Sequence, residues 1–216
     1  MNKAFIFDMD GVIVDSNPYH KIALQQFCKK LGYDLSEEQL REKIYGRTNK
    51  DWITNLFGDI GEAQIQRYAE EKEALYRQLY DKDITAVKGL VAFLEKMDKL
   101  SIARAVATSA PRTNVDFSLS KTHTERFFLT ILDDSFVSRG KPDPEIYLKS
   151  AAALGYAPAD CIVFEDSLSG VQAGKRAGCK VVGITTTHTP EELHETDFII
   201  TDFADLEPQG LISKLF

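Results

Sequence analysis

Apolar positions along the chain fall into two alternating patterns. Ala4 to Phe7 is a short run in which every residue can be buried, as in an interior parallel strand. Similar runs recur at Ala103–Ala107, Ile162–Phe164, Val181–Ile184 and Phe198–Ile200. Between them the period lengthens to that of a helix. Leu90, Phe93, Leu94 and Met97 share one apolar face, and Tyr147, Leu148, Ala151 and Leu154 share another, opened by Pro144 near its first turn. Strands and helices in this alternation predict an α/β fold with a parallel sheet covered on both sides.

One stretch breaks the alternation. From Asn17 to Asp83 only helical patterns occur. Asn17-Pro18 opens a helix that presents Leu24, Phe27, Cys28 and Leu31 before Gly32 stops it. Ser36 and Gln39 have the spacing of a capping box. A longer helix follows with Ile65, Tyr68, Ala69, Leu75, Tyr76 and Leu79. Several helices are more than a crossover between parallel strands needs. The expected organisation is therefore a Rossmann-like α/β core from residues 1–16 and 84–216, with an α-helical cap inserted at residues 17–83.

Composition adds limits. With 216 residues, 44% hydrophobic and 27% charged, the chain suits one good-sized domain carrying a smaller insertion. A formal net charge of −7 offers no general field for nucleic acid or an anionic membrane. Cys28, Cys161 and Cys179 are odd in number and widely spaced, which suits reduced thiols. The opening residues reach Asp8 too soon for a secretory leader, and no apolar run approaches the ~20 residues of a membrane span. A cytoplasmic, monomeric protein is expected, with no membrane or nucleic-acid partner.

Ligands of open α/β sheets gather at the carboxyl ends of the strands. There the chain places Asp8-Met-Asp10-Gly11 after the first run, Thr108-Ser109 after the second, and Glu165-Asp166 beyond Phe164. Gly140-Lys141-Pro142-Asp143-Pro144 lies between strand patterns. A carboxylate can attack a phosphoryl group only where local charge is neutralised. Asp8 and Asp166 suit a hard divalent cation, Mg²⁺ best, and Lys141 adds a positive charge for both the phosphate and the attacking carboxylate. The Thr108 hydroxyl and the Ser109 N–H offer donors to phosphate oxygens. Asp10, two residues beyond Asp8, falls on the same side of extended backbone and suits a general acid and base. A calcium loop of the EF-hand type is disfavoured, because Gly11 comes at its fourth position instead of its sixth.

Phe7-Asp8-Met-Asp10-Gly11-Val-Ile-Val-Asp15-Ser16, Ala107-Thr108-Ser109, Gly140-Lys141-Pro142-Asp143-Pro144 and Phe164-Glu165-Asp166-Ser167-Leu-Ser169-Gly170 together span the chain. In these motifs it resembles the haloacid dehalogenase (HAD) superfamily, in the β-phosphoglucomutase-like branch with a helical cap. The resemblance implies Asp8 as nucleophile and Asp10 as acid/base, Thr108 and Lys141 as phosphate ligands, and Mg²⁺ held by Asp8, the Asp10 carbonyl and Asp166 with help from Glu165. It also implies substrate contacts in the cap, at His20, Gly46, Arg47, Thr48, Asn49, Lys50 and Lys72. The mutase pattern has an arginine where this chain has Asn49, and Ala110-Pro111 departs from many relatives. Arg47-Thr48 also resembles the cap loop of a pyrophosphatase of this branch, which has glutamate where this chain has Tyr45. The expected activity is a Mg²⁺-dependent phosphatase of a small phosphorylated metabolite, a sugar phosphate foremost. The alternatives are a β-phosphoglucomutase-type mutase, an inorganic pyrophosphatase and a non-catalytic binding module.

Overall fold

The computed structural model describes residues 3–36, 38–40 and 48–216. Residues Ser16–Asp83 pack as one compact unit, and the segments on either side of them form a second.

The second unit is built on a parallel sheet of six strands: β1 (Ala4–Phe7), β2 (Arg104–Ala107), β3 (Thr130–Leu132), β4 (Cys161–Glu165), β5 (Lys180–Ile184) and β6 (Phe198–Ile200), in the order β3-β2-β1-β4-β5-β6. The chain moves outward from β1 to β3 on one side and then returns to pair β4 with β1. The reversal leaves a crevice at the carboxyl ends of β1 and β4. Here Phe7 is in register with Val106 on one side and Phe164 on the other.

Strand alternation divides the core into two chemically distinct faces. Phe5, Phe7 and Phe164 point one way; Phe7 and Phe164 stack at 4.8 Å, and Phe93 and Phe203 close over them. Phe93 belongs to α4 (Leu90–Lys99), whose buried residues are the predicted Leu90, Phe93, Leu94 and Met97. Ala4, Ile6, Cys161 and Val163 point the other way. They pack against α6 (Glu145–Leu154) and α7 (Leu168–Ala177) through Ile146, Tyr147, Ala151, Val171 and Ala173. All three cysteines are buried free thiols.

Two expectations need correction. The buried face of α6 is Ile146, Tyr147, Ser150 and Ala151, whereas Leu148 is 41% exposed. The helix turns its face one position away from the one read, because Ile146 and not Leu148 meets the sheet. Strand β3, an edge strand of three residues, was not anticipated; Leu129 just before it is fully exposed and hides the burial pattern.

The Ser16–Asp83 unit contains α1 (Asn17–Lys30), α2 (Asn49–Phe57) and α3 (Glu62–Tyr80), around a core that includes Leu24, Phe27, Trp52, Ile53 and Ile65. Ser36 and Gln39 cap each other reciprocally: Ser36 N–H donates to Gln39 Oε1 at 2.9 Å, and Gln39 N–H to Ser36 Oγ at 3.3 Å. The sheet unit also carries α5 (Arg112–Lys121) and α8 (Pro208–Leu215). Among the described residues, no helix is long and apolar enough to cross a membrane.

Candidate active site

Asp8 follows the last residue of β1, and its N–H donates to the Phe164 carbonyl at 3.0 Å, so it is held in line with the neighbouring strand. The alternation that sends Ala4 and Ile6 toward α6 and α7 carries Asp8 to the same side. By the same rule Cys161, Val163 and Glu165 share that side on β4. Lys141, in the loop entering α6, then reaches both carboxylates: Nζ lies 2.6 Å from Asp8 Oδ1 and 2.6 Å from Glu165 Oε1. It also donates to the Ala107 carbonyl at 3.4 Å. The Lys141 side chain is 7% exposed and Glu165 is fully buried, so these charge-assisted bonds are little screened by water.

Among the described residues, the other bonds to the Glu165 carboxylate come from Tyr147 and Ser167, which sequence reasoning did not select. Tyr147 O–H donates to Oε1 at 2.5 Å. Ser167 donates to Oε2 twice, from its N–H at 3.2 Å and its hydroxyl at 3.0 Å. Asp166 is buried beside it and accepts a short hydrogen bond from the Thr187 hydroxyl. The signal for Tyr147 was its type, since a tyrosine on a buried helix face must place its hydroxyl somewhere. Thr187 lies in a Thr-Thr-Thr loop after β5 and carried no signal.

Thr108 is buried at the end of β2. Its N–H donates to the Leu132 carbonyl at 3.0 Å, and its Oγ1 accepts from Ala110 N–H at 3.1 Å. Ser109 beside it is exposed. Asp8, Thr108 and Glu165-Asp166 thus leave the ends of three neighbouring strands, with Asp10 in the loop beyond β1.

The cluster carries more negative than positive charge. Burial raises the Asp8 carboxyl to about 7; Lys141 opposes this, and Glu165 and Asp10 reinforce it. Asp166 is also pushed well above the usual carboxylate range, first by burial and then by Glu165 and Asp8. Burial alone would lower Lys141, but Asp8 and Glu165 outweigh it and hold the ammonium above its ordinary value. Oxygens of Asp8, Glu165 and Asp166 lie within 4.8 Å of one another. Hard oxygen donors with surplus negative charge fit a hard divalent cation.

The helical unit brings together a second set of residues. Lys72 Nζ donates to Glu73 Oε1 at 2.9 Å and to His20 Nδ1 at 3.0 Å. Asn49 Nδ2 donates to Glu73 Oε1 at 3.0 Å, while Asn49 Oδ1 accepts from the Trp52 indole N–H at 2.9 Å. His20 stacks on Tyr76 at 3.7 Å. Three of the expected cap residues, His20, Asn49 and Lys72, therefore meet around Glu73, which was not anticipated. Thr48 is engaged in capping α2 through Asp51, and Lys50 pairs with Glu62 at the surface. Gly46 and Arg47 lie outside the described residues.

Residues 5–184 match the family model described as "Haloacid dehalogenase-like hydrolase". Validoxylamine A 7'-phosphate phosphatase of Streptomyces hygroscopicus subsp. limoneus is 30% identical, over 95% of this chain and 96% of its own length. Hexitol phosphatase A of Escherichia coli (strain K12) is 30% identical, over 92% of this chain and 90% of its own. The crystal structure of a β-phosphoglucomutase from Clostridium difficile superposes with a TM-score of 0.85 at 28% identity, covering 100% of this chain and 97% of that one. The chain belongs to the haloacid dehalogenase-like hydrolases, in the branch that resembles β-phosphoglucomutase, and is an enzyme of the phosphatase and phosphotransferase kind.

Proposed function

We propose that this enzyme is a Mg²⁺-dependent phosphatase of small phosphorylated metabolites, sugar phosphates foremost, working through an aspartyl-phosphate on Asp8. The observation that carries the reading is the buried Lys141 ammonium held between Asp8 and Glu165 at 2.6 Å from each. It supplies positive charge at the atom that must attack an anion, where a low dielectric makes that charge count most.

Each side chain then has a task. Asp8 attacks phosphorus; the ester oxygen leaves with a proton from Asp10. Asp10 later takes a proton from the water that cleaves the acyl phosphate, restoring Asp8 and releasing inorganic phosphate. Thr108, whose Oγ1 is turned toward Ala110 N–H, has its hydroxyl proton for a phosphoryl oxygen. The Ser109 N–H offers another donor. Asp8, the Asp10 carbonyl and Asp166 would hold Mg²⁺, which supplies electrostatic neutralisation of the phosphoryl oxygens when bound. Selection of the leaving group falls to the helical unit, with His20, Asn49 and Lys72 among its candidates. That phosphatases share at least 30% of their residues with nearly the whole chain supports hydrolysis. The similarity to a mutase keeps transfer to a second hydroxyl as the competing outcome.

Purified enzyme should release phosphate from a chromogenic phosphate ester with Mg²⁺ and lose this activity in EDTA. Asp8→Asn, nearly isosteric but without the nucleophile's charge, should drop below about 1% of wild type with an unchanged circular dichroism spectrum. Turnover retained by that variant would remove Asp8 from the chemistry.

A further inference from the structure

Glu165 is completely buried and both of its oxygens are fully engaged. Oε2 takes two bonds from Ser167, and Oε1 takes one from Lys141 and one from Tyr147. Gly170 in the first turn of α7 closes the remaining side: a Cβ there would fall 1.8 Å from Oε1. The carboxylate therefore has one position, and the direction in which it draws Lys141 depends on what else shares Oε1.

What shares it is a single hydroxyl. Tyr147 is fully buried, and its ring centroid lies 5.1 Å from Lys141 Nζ, so the side chain meets the ammonium through its π face and the carboxylate through its O–H. Burial and the neighbouring Glu165 and Asp8 charges keep the phenol protonated, and therefore a donor. Lys141 and Tyr147 are six residues apart on one loop and helix, so α6 delivers both at once. A core tyrosine that needed only a partner could donate to a backbone carbonyl. This one donates to the counter-ion of the phosphate-binding lysine.

We infer that Tyr147 is a positioning residue for phosphoryl transfer: its hydroxyl takes up part of the charge on Glu165 Oε1 and so leaves the Lys141 ammonium shared with Asp8. Without the hydroxyl, Oε1 would rest on Lys141 alone and draw it away from Asp8, weakening neutralisation as the phosphoryl group is transferred. This inference rests on the phosphatase reading.

The test is Tyr147→Phe, which keeps the ring and removes one oxygen, assayed with a chromogenic phosphate ester and Mg²⁺. Loss of a hydrogen bond to a charged group predicts a fall in kcat of about 10- to 100-fold, with KM changed less than about threefold. A Glu165→Gln background adds a readout that a packing role would not move. If Tyr147 acts through Glu165, Y147F should cost less than about twofold there, because the charge it manages is already gone. Unchanged kcat in Y147F, a change confined to KM, or an equal loss in the E165Q background would each overturn the inference. A wild-type enzyme inactive on every ester would overturn the phosphatase reading and this inference with it, whereas an active wild type matched by Y147F would overturn the inference alone.

Discussion

A carboxylate that attacks phosphorus has to be both buried and ionised, and Asp8 shows how far those demands conflict. Removal from water, with Glu165 and Asp10 nearby, raises its pKa to about 7 in spite of Lys141 at 2.6 Å. In the unfolded chain the same group titrates near 3.8. Between the two values the folded state holds more protons, so the Asp8 contribution to stability is fully present below the lower value and is lost as pH rises through the upper one. A cation bound at Asp8 and Asp166 substitutes for the missing proton and must compete with it at lower pH. Apparent Mg²⁺ affinity should therefore rise at least about tenfold from pH 6 to pH 8, with proton release on binding near the lower limit. Isothermal calorimetry in two buffers of different ionisation enthalpy measures both quantities. Affinity flat across this range would mean that the cation does not displace a proton from Asp8.

The first turn of α7 combines a cap with part of the site. Ser167 Oγ accepts from Gly170 N–H at 3.1 Å while donating to Glu165, so starting the helix and fixing the carboxylate are one arrangement. Alanine is the better helix former by about 0.5–1 kcal/mol, yet at Gly170 its methyl would occupy the space of the Glu165 carboxylate. Gly170→Ala should cut turnover by at least about 100-fold through misplacement of Glu165 and Lys141. Gly210→Ala is the control in α8, where the nearest atom to a Cβ is 3.6 Å away. It should gain roughly 0.5–1 kcal/mol without changing kcat. Denaturant unfolding and ester turnover of the two variants test the pair, and full activity in Gly170→Ala would show that the Glu165 position is dispensable. Gly170 could not have been singled out in this way from sequence, since its role depends on a side chain brought to it by folding. Asp8, Thr108 and Glu165-Asp166 could be, because strand ends in a parallel sheet are marked by where a fully apolar run stops. Lys141 was legible from its loop, but not that it would bridge two carboxylates. Tyr147 was read as core only, since helical periodicity reports burial and is silent on where a hydroxyl points. Strand β3 escaped because it opens on Thr130 behind the fully exposed Leu129, so no clean apolar run marks it, whereas β6, equally short and also at an edge, is apolar throughout.

At the scale of the whole molecule, the proposed phosphatase has to be told apart from a mutase by the fate of the phosphate. The sheet unit carries the nucleophile, and the Ser16–Asp83 unit has its own buried polar cluster. A mutase must hold a bisphosphate by both ends, and an arginine fork is well suited to the second phosphate. This chain has Asn49 at that position, and its amide already donates to Glu73 at 3.0 Å. Lys72 is committed to the same carboxylate at 2.9 Å. On the proposed phosphatase reading, an acceptor-only carboxylate at the centre of this cluster is a poor partner for a second phosphate. Loss of one charge-assisted contact should cost about 2–4 kcal/mol in holding a bisphosphate, roughly 30- to 1000-fold in affinity. Supplied with β-glucose 1-phosphate and a trace of the 1,6-bisphosphate, the enzyme should release inorganic phosphate and form little glucose 6-phosphate. Asn49→Arg should not by itself reverse this preference, because Glu73 would claim the new guanidinium; Asn49→Arg with Glu73→Gln should raise the ratio of glucose 6-phosphate to phosphate. Efficient isomerisation by the wild-type enzyme, with both products followed in one reaction, would replace the phosphatase reading with that of a mutase.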